Sequence, residues 1–242
     1  MAPARGTSAQ FTETRWTVIL AAQAGGAGAE EAWSQLCQKN YFPVYAFIRR
    51  QGTAPHDAQD LTQGFFAHVL RQDWLANVDR SKGLFRTFVL RCLKNFLSNE
   101  REKLGAAKRK SEQPPVALDA TEAEERYKLE PLDGADPAVL FDRQWASCLI
   151  GRVLAKLQAE YAARNAGHLF EALLPSLVGE SERGDWGAVA AHLGKSVEAA
   201  KTAGSRLRAE FRELLRREIA ETVDSPQEVE GEIQALFQIF ER

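Results

Sequence analysis

Positively charged and hydroxyl side chains recur at helical spacing near the C-terminal end of the chain, in the stretch KSVEAAKTAGSRLRAEFRELLRR. Successive members stand four, three and four residues apart, so that one face of a helix carries Lys201, Ser205, Arg208 and Arg212. Cationic and hydroxyl groups in such a stripe bind the phosphates of nucleic acid. Leu207, Phe211 and Leu214 fall on the opposite face, which predicts that the helix packs on an apolar core.

A shorter apolar stretch precedes this helix, and the residues between the two are typical of a tight turn. Gly194 is predicted to turn the chain, and Ser196 to cap the second helix. The small residues that follow allow the helices to cross closely, which predicts a helix-turn-helix with its second helix in a DNA groove. The residues leave one alternative open, a plain helical hairpin with a solvated arginine face. An interior Gly204 costs up to about 1 kcal/mol of helix stability and predicts weak unaided DNA binding.

A second basic helix face is predicted in the N-terminal half of the chain, over residues 85–101. Aromatic residues on one side of this helix, among them Phe88 and Phe96, are expected to face a core. The opposite side carries Arg91, Lys94, Asn95, Ser98 and Arg101. The preceding helix, predicted over 55–72, leaves on its outer face Asp57, Asp60 and Gln63.

The charge of the chain is nearly neutral overall, at −2, but it alternates along the sequence. Residues 80–110 contain ten Lys or Arg against two Glu, whereas residues 111–142 contain two Lys or Arg against nine Asp or Glu. Residues 195–217 contain seven basic side chains against three Glu, and residues 218–242 contain seven acidic ones against one Arg. A nearly neutral chain is a poor freestanding clamp for nucleic acid. The two basic blocks instead indicate two local surfaces, with solvated helix faces as the alternative.

No pattern typical of a catalytic or metal site accompanies these surfaces. The four histidines form no HExxH motif, no cysteine pair has metal-ligand spacing, and no glycine-rich phosphate loop follows a strand. We therefore expect no enzyme activity, no catalytic residue, no metal and no cofactor. Three widely separated cysteines, and the lack of an apolar run of about 18 residues, favour a cytoplasmic protein without a membrane span.

Apolar residues at helical spacing recur along the chain without a useful alternating strand pattern, so the predicted fold class is all-α. Two small helical domains are expected, joined by an acidic linker that is extended because it lacks periodicity. The predicted division is a flexible tail at 1–12, a first domain at 13–107, the linker at 108–136, a second domain at 137–222 and an acidic amphipathic tail at 223–242. We expect the last segment to pack on the second domain, and the alternatives are that it covers the basic DNA face or binds a partner. Residues 41–50 are predicted to form a buried helix, separate from the helix that carries Trp33.

The order and spacing of these parts resemble those of an extracytoplasmic-function (ECF) sigma factor, the smallest kind of bacterial RNA polymerase sigma factor, over residues 14–219. DAQDLTQGFF at 57–66 is similar to the helix of sigma region two that docks on the coiled-coil clamp of the largest polymerase subunit. FRTFVLRCLKNFLSNERE at 85–102 is similar to the helix that reads and opens the minus-ten promoter element. The C-terminal helix pair resembles sigma region four, which reads the minus-thirty-five element on the polymerase flap. The chain also has a WxxL motif near its start and an RLR run late in its last helix. In these two features it is similar to a long variant of the family from planctomycete-like bacteria.

The resemblance assigns roles to individual residues. It implies core-polymerase docking by Asp57, Asp60, Leu61, Gln63 and Phe66, with one alternative for the apolar Leu61 and Phe66, that they are buried and only position the helix. It implies minus-ten DNA contacts, from the loop DRSKG and the helix after it, by Arg80, Lys82, Arg86, Arg91, Lys94, Asn95, Ser98 and Arg101. It implies minus-thirty-five DNA contacts by Lys195, Ser196, Val197, Glu198, Lys201, Thr202, Ser205, Arg206, Arg208 and Arg212. The acidic linker is expected to thread into the polymerase cleft.

The partners that the resemblance implies are promoter DNA and the RNA polymerase core, through its clamp helices and its flap. An anti-sigma protein is a further candidate partner, and the free protein is expected to be a monomer. Gly204 and Ser205 depart from the family pattern, in which an apolar residue and a histidine are common at these positions. Two other functions stay open. One is a stand-alone helix-turn-helix regulator whose N-terminal helices sense a ligand or dimerise, and the other is a degenerate sigma-like interaction module that does not start transcription.

Overall fold

The structure is a computed structural model that describes residues 28–71, 85–106, 120–129, 136–178, 186–223 and 225–241. Within these ranges the regular secondary structure is helical, which confirms the predicted all-α class. The α-helices, numbered in chain order, are α1 (Ala29–Arg50), α2 (Pro55–Arg71), α3 (Phe85–Ala106), α4 (Ala120–Lys128), α5 (Pro137–Ala163), α6 (Gly167–Leu173), α7 (Pro175–Val178), α8 (Trp186–Leu193), α9 (Val197–Ala220) and α10 (Val229–Glu241). A turn of 3-10 helix, Pro226–Glu228, precedes α10.

The chain divides into two compact units, and this division differs from the predicted one. The N-terminal unit comprises Met1–Cys148 together with Ala220–Arg242, and the C-terminal unit comprises Leu149–Ile219. The units therefore separate within α5, and not in the predicted linker at 108–136. The predicted tail at 223–242 belongs to the N-terminal unit, so the expectation that it packs on the second domain is corrected.

Aromatic side chains explain why the first part of α5 belongs to the N-terminal unit. Phe47 of α1 meets Phe141 of α5 edge-on, with ring centroids 6.0 Å apart. Phe85 of α3 lies 5.8 Å from Trp145 of α5, and all four side chains are buried. Aromatic pairs in such arrangements add about 0.5–1.5 kcal/mol each to what burial alone contributes. The start of α5 is thus part of the same core as α1 and α3.

Helix α1 is a single helix where the sequence pattern predicts two. It runs without a break through Asn40 and Pro43. Pro43 removes one backbone donor, while the side-chain amide of Asn40 donates a hydrogen bond of 2.6 Å to the carbonyl oxygen of Leu36. Every residue from 40 to 48 is buried. Continuous burial along this segment favours one helix over two helices with a solvated break.

The acidic linker contains a helix, α4, that docks on α1. The guanidinium of Arg49 donates two hydrogen bonds, 2.9 and 3.0 Å long, to the two carboxylate oxygens of Glu124, and the hydroxyl of Tyr45 donates a third. The guanidinium of Arg126 lies 3.9 Å from the ring centroid of Phe42. The prediction of an extended linker is wrong for this segment, because the segment is helical. The sequence pattern does not indicate the docking, because the contacts join residues that are far apart in the sequence.

The C-terminal unit buries one carboxylate among its apolar residues. Leu157 of α5 and Leu207 of α9 are fully buried. Glu218 of α9 is 1% exposed, and it pairs with Lys156 and, at 3.6 Å, with the Nε of Arg152, both on α5. A buried carboxylate needs such partners, since its removal from water otherwise costs several kcal/mol. The ion pairs therefore fix where the end of α9 lies on α5.

After α9 the chain packs within the N-terminal unit. Glu221 pairs with Lys39 of α1 at 3.4 Å, and the side chains of Val223, Val229 and Leu236 are buried. The sequence pattern predicts an amphipathic helix at this place, which α10 confirms. The sequence pattern does not indicate which surface α10 covers, because that surface is set by ion pairs with residues that are distant in the sequence.

The contact between Glu124 and Arg49 predicts a specific loss of stability. Glu124→Gln removes the charge and keeps the shape, so we expect the free energy of unfolding to fall by about 1.5–3 kcal/mol, as for hydrogen bonds to charged groups. Glu125→Gln, at an exposed neighbouring position of the same helix, is the matched control and should change it by less than about 0.5 kcal/mol. Urea unfolding of both variants at pH 7 measures the difference.

The same pair predicts a dependence on pH. Hydrogen bonds from Arg49, followed by that from Tyr45, lower the pKa of Glu124 from its ordinary value of 4.5 despite its burial. A depressed pKa stabilises the folded state above the unfolded-state pKa, and this contribution is lost as the pH falls through the folded-state pKa. The difference between wild type and Glu124→Gln should therefore shrink below pH 4.5. A constant difference down to strongly acidic pH contradicts the assignment.

Candidate nucleic-acid interfaces

The turn between α8 and α9 has the geometry that the sequence predicts. Gly194 adopts a left-handed backbone conformation with φ of +60°, which residues with a side chain adopt only at a cost. The backbone N–H of Lys195 donates a hydrogen bond of 2.9 Å to the carbonyl oxygen of Ala190, which ends α8. The hydroxyl oxygen of Ser196 accepts one of 3.2 Å from the N–H of Ala199, which caps α9. The predicted turn and cap are confirmed.

The ring of Trp186 on α8 packs directly on Gly204 of α9. A Cβ atom built at position 204 would lie within 2.9 Å of two atoms of the Trp186 ring, too close for any real contact. The guanidinium of Arg208, one turn further along α9, lies 5.9 Å from the centroid of the same ring. An interior glycine lowers helix stability by about 1 kcal/mol. The packing of the Trp186 ring on Gly204 offsets this cost, and a larger residue at position 204 would prevent that packing.

The first half of α9 and the turn before it expose most side chains that were assigned to minus-thirty-five DNA. The exposed members are Lys195, Ser196, Glu198, Lys201, Thr202, Ser205, Arg206 and Arg212. The half-buried members are Val197 and Arg208. The hydroxyl of Thr202 donates a hydrogen bond of 2.8 Å to the carbonyl oxygen of Glu198. Most charges on this surface are positive, which suits contacts with phosphate.

A second polar row lies on α3, in the N-terminal unit. Its exposed members, all assigned to minus-ten DNA, are Arg91, Lys94, Asn95, Ser98 and Arg101. Arg101 donates a hydrogen bond to the side-chain oxygen of Gln51, which follows α1. Lys103, one turn from Glu100, pairs with it at 2.8 Å. The row is thus exposed as predicted, and contacts with neighbouring groups hold its C-terminal end.

A cleft of about 260 Å³ opens beside this row, between α1, α3 and the start of α5. Its lining residues are Phe47, Gln51, Lys94, Leu97, Ser98, Arg101, Asp136, Pro137 and Ala138. The lining combines apolar groups, the cations of Lys94 and Arg101 and one carboxylate, that of Asp136, and its apolar and cationic part suits a planar ring attached to an anion, such as an unstacked nucleotide. Asp136 was not predicted as part of this surface. Its carboxylate accepts a hydrogen bond of 2.7 Å from the N–H of Ala138 and caps α5, and the Asp-Pro pair is the sequence signal for that cap.

Two assigned residues are buried and are corrected here. Arg86, assigned to minus-ten DNA, is 9% exposed, and its Nε lies 3.6 Å from Glu232 of α10 and 3.8 Å from Asp142 of α5. Phe66, assigned to polymerase docking, is 4% exposed and lies edge-on to Trp33 of α1, with ring centroids 6.4 Å apart. Both side chains belong to the core of the N-terminal unit. They position their helices and do not contact a partner themselves.

The outer face of α2 keeps the two carboxylates that were assigned to polymerase docking. Asp57 and Asp60 are exposed, and Asp60 lies 3.4 Å from the imidazole of His56 one turn away. Leu61 and Gln63 are half-buried. The accessible part of this surface is therefore acidic.

Some assigned residues lie outside the described ranges. They are Arg80, Lys82 and the rest of the DRSKG loop, the predicted tail at 1–12, residues 13–27 and 107 of the predicted first domain, and the predicted linker at 108–119 and 130–135. The described part of the minus-ten surface is therefore the exposed row of α3 with its cleft.

The three cysteines are buried thiols. Cys37, Cys92 and Cys148 form no disulfide within the described ranges. Burial raises the pKa of the Cys37 and Cys92 thiols to about 12. Thiols with so high a pKa stay protonated at neutral pH and are poor nucleophiles.

The comparisons with known proteins add no further identification. No protein-family model, curated protein or solved structure matches the chain. Among the described residues, no helix is both long and apolar enough to cross a membrane. No group of three or more His, Cys, Asp or Glu side chains in these ranges could hold a metal ion.

A double-mutant cycle tests the contact between Trp186 and Gly204. In the wild-type background we expect Gly204→Ala to destabilise the protein by about 1–3 kcal/mol, because overpacking against the ring exceeds the gain in helix propensity. In a Trp186→Ala background the same substitution should stabilise it by up to about 1 kcal/mol, because the ring is absent. Chemical unfolding of the four proteins gives both values. An effect of the same sign in both backgrounds contradicts the explanation of Gly204.

Proposed function

We propose that this protein is a bacterial RNA polymerase sigma factor of the ECF group. It binds core polymerase in the cytoplasm and directs it to promoters through contacts with minus-ten and minus-thirty-five DNA. The observation that carries the proposal is the helix-turn-helix of α8 and α9, in which the ring of Trp186 packs on Gly204 while Lys201, Ser205 and Arg212 stay exposed.

The polar row on α3 supports a role beyond that of a simple helix-turn-helix protein. Basic side chains contact the backbone of DNA, and Lys94 and Arg101 also line a cleft with apolar Phe47 and Leu97. A cleft of this composition suits a base that has left the double helix, because a π-face packs on apolar groups and its phosphate pairs with a cation. A surface that favours unstacked DNA is what promoter opening requires.

The acidic outer face of α2 supports a docking role for a partner that carries positive charge. Asp57 and Asp60 are exposed side by side on one helix, and their carboxylates repel DNA. A protein partner with basic side chains is the complementary surface. In this proposal that partner is the clamp of the largest polymerase subunit, while the flap holds the helix-turn-helix.

The nearly neutral net charge fits a protein that contacts DNA while polymerase holds it at the promoter. With a net charge of −2, the chain attracts DNA weakly as a whole, although each basic face does so locally. Attachment of both faces to one large enzyme raises their effective concentration at a promoter, so two weak contacts together become strong. The helix-turn-helix then reads DNA while polymerase holds it in place.

Binding to purified core polymerase, followed by run-off transcription from a promoter library, tests the proposal. We expect a one-to-one complex with core and transcripts that start at a defined subset of promoters. A protein that binds duplex DNA as a dimer without core, at half-sites about one helical turn apart, is instead a stand-alone regulator. A protein that binds core and never opens DNA is a sigma-like interaction module. Absence of core binding refutes the proposal.

Two substitutions separate the proposed surfaces. We expect Lys201→Ala to weaken the dependence of transcription on the minus-thirty-five element about tenfold, the scale of one lost DNA contact, while Lys201→Arg keeps it. Asp60→Ala should lower core affinity severalfold, because it removes a charge from the docking face. Glu171→Ala, which removes an exposed carboxylate of α6, is the control for Asp60→Ala and should leave core affinity unchanged. Equal effects of Lys201→Ala and Asp60→Ala on core affinity contradict the division of roles.

A further inference from the structure

A buried cluster of three charged side chains joins α10 to the rest of the N-terminal unit. Arg86, in the first turn of α3, lies with its Nε 3.6 Å from the carboxylate of Glu232 and 3.8 Å from that of Asp142. Glu232 comes from α10 and Asp142 from α5. One cation therefore stands between two carboxylates where three helices meet.

The two carboxylates of this cluster are not equivalent. The side chain of Asp142 is 36% exposed, whereas that of Glu232 is 3% exposed. Two carboxylates face the one guanidinium of Arg86, and the carboxylate that has lost its contact with water is the one that gains most from a proton.

The apolar attachment of α10 is limited. Val229 and Leu236 are buried, but Phe237 and Phe240 remain 47% and 48% exposed. A helix that leaves part of its aromatic surface in water gains less from burial than one that covers all of it. The charge state of the cluster can therefore decide how firmly α10 is held.

We propose that α10 is a proton-linked clasp, which closes on α3 and α5 when the Glu232, Arg86 and Asp142 cluster holds one proton and opens more often when that proton is lost. The clasp acts on the same helix that carries the exposed polar row of the N-terminal unit. Closure fixes the first turn of α3 through Arg86, and opening exposes Arg86 together with the apolar side of α10.

Proton linkage sets the direction of the response. Burial, the largest cause, raises the pKa of Glu232 to about 7; Arg86 lowers it and Asp142 raises it further. In the open clasp the pKa of Glu232 returns to its ordinary value of 4.5. The stabilisation of the closed form is fully present below the ordinary value and is lost as the pH rises through 7. Between pH 5.5 and 8 the opening equilibrium constant should rise about thirtyfold.

Amide hydrogen exchange of the full-length protein measures this opening directly. Exchange of peptides from α10 is followed by mass spectrometry from about pH 5.5 to 8 and corrected for the intrinsic rate at each pH, with peptides from α1 as the internal reference. We expect the opening constant of α10 to rise about thirtyfold in wild type, and that of α1 to change much less. Glu232→Gln should abolish the pH response of α10. Asp142→Asn should move it to lower pH, because it removes the neighbouring negative charge.

Glu230→Gln is the matched control, since it neutralises an exposed glutamate of the same helix and should keep the wild-type response. Equal protection of α10 across the pH range in wild type overturns the proposal. A pH response of α10 that survives in Glu232→Gln also overturns the proposal, and so does one that disappears in Glu230→Gln. The experiment uses the free protein without polymerase or DNA. It therefore decides the clasp whether or not the protein is a sigma factor.

Discussion

Two carboxylates, each largely withdrawn from water beside an arginine or lysine, fix where two helices dock. Glu124 joins α4 to α1, and Glu218 joins the end of α9 to α5. Removal of a charge from water costs several kcal/mol, and a good ion pair does little more than offset that cost. These ion pairs therefore set the positions of the helices and add little net stability. A helix that docks elsewhere leaves a buried charge without its partner.

Local signals were enough to predict much of the secondary structure. Apolar spacing predicted the helices α2, α3 and α9, and Gly194 with Ser196 predicted the turn between α8 and α9, because such patterns act within a few residues. Long-range arrangement was missed. The docking of α4 depends on Glu124 finding Arg49, and the division inside α5 depends on its aromatic residues packing with α1 and α3. No local pattern encodes these partners.

The candidate surfaces divide in the same way. Helical spacing correctly separated the exposed row of α3 and the exposed stripe of α9 from the core faces of the same helices. It failed for Arg86, because an arginine near the start of a helix is usually solvated, and the carboxylates beside which it is buried, Asp142 and Glu232, are distant in the sequence. Gly204 was predicted as a weakness of α9. The ring of Trp186 occupies the space that a side chain at this position would take.

The N-terminal unit is discontinuous in the chain, since its last piece, Ala220–Arg242, follows the whole of Leu149–Ile219. A ribosome therefore delivers the complete C-terminal unit before it delivers α10. During synthesis the C-terminal unit has all its residues at a time when Arg86 still lacks the carboxylate of Glu232. If folding follows the order of synthesis, the N-terminal unit is therefore the last to be completed, although most of its residues are synthesised before those of the C-terminal unit.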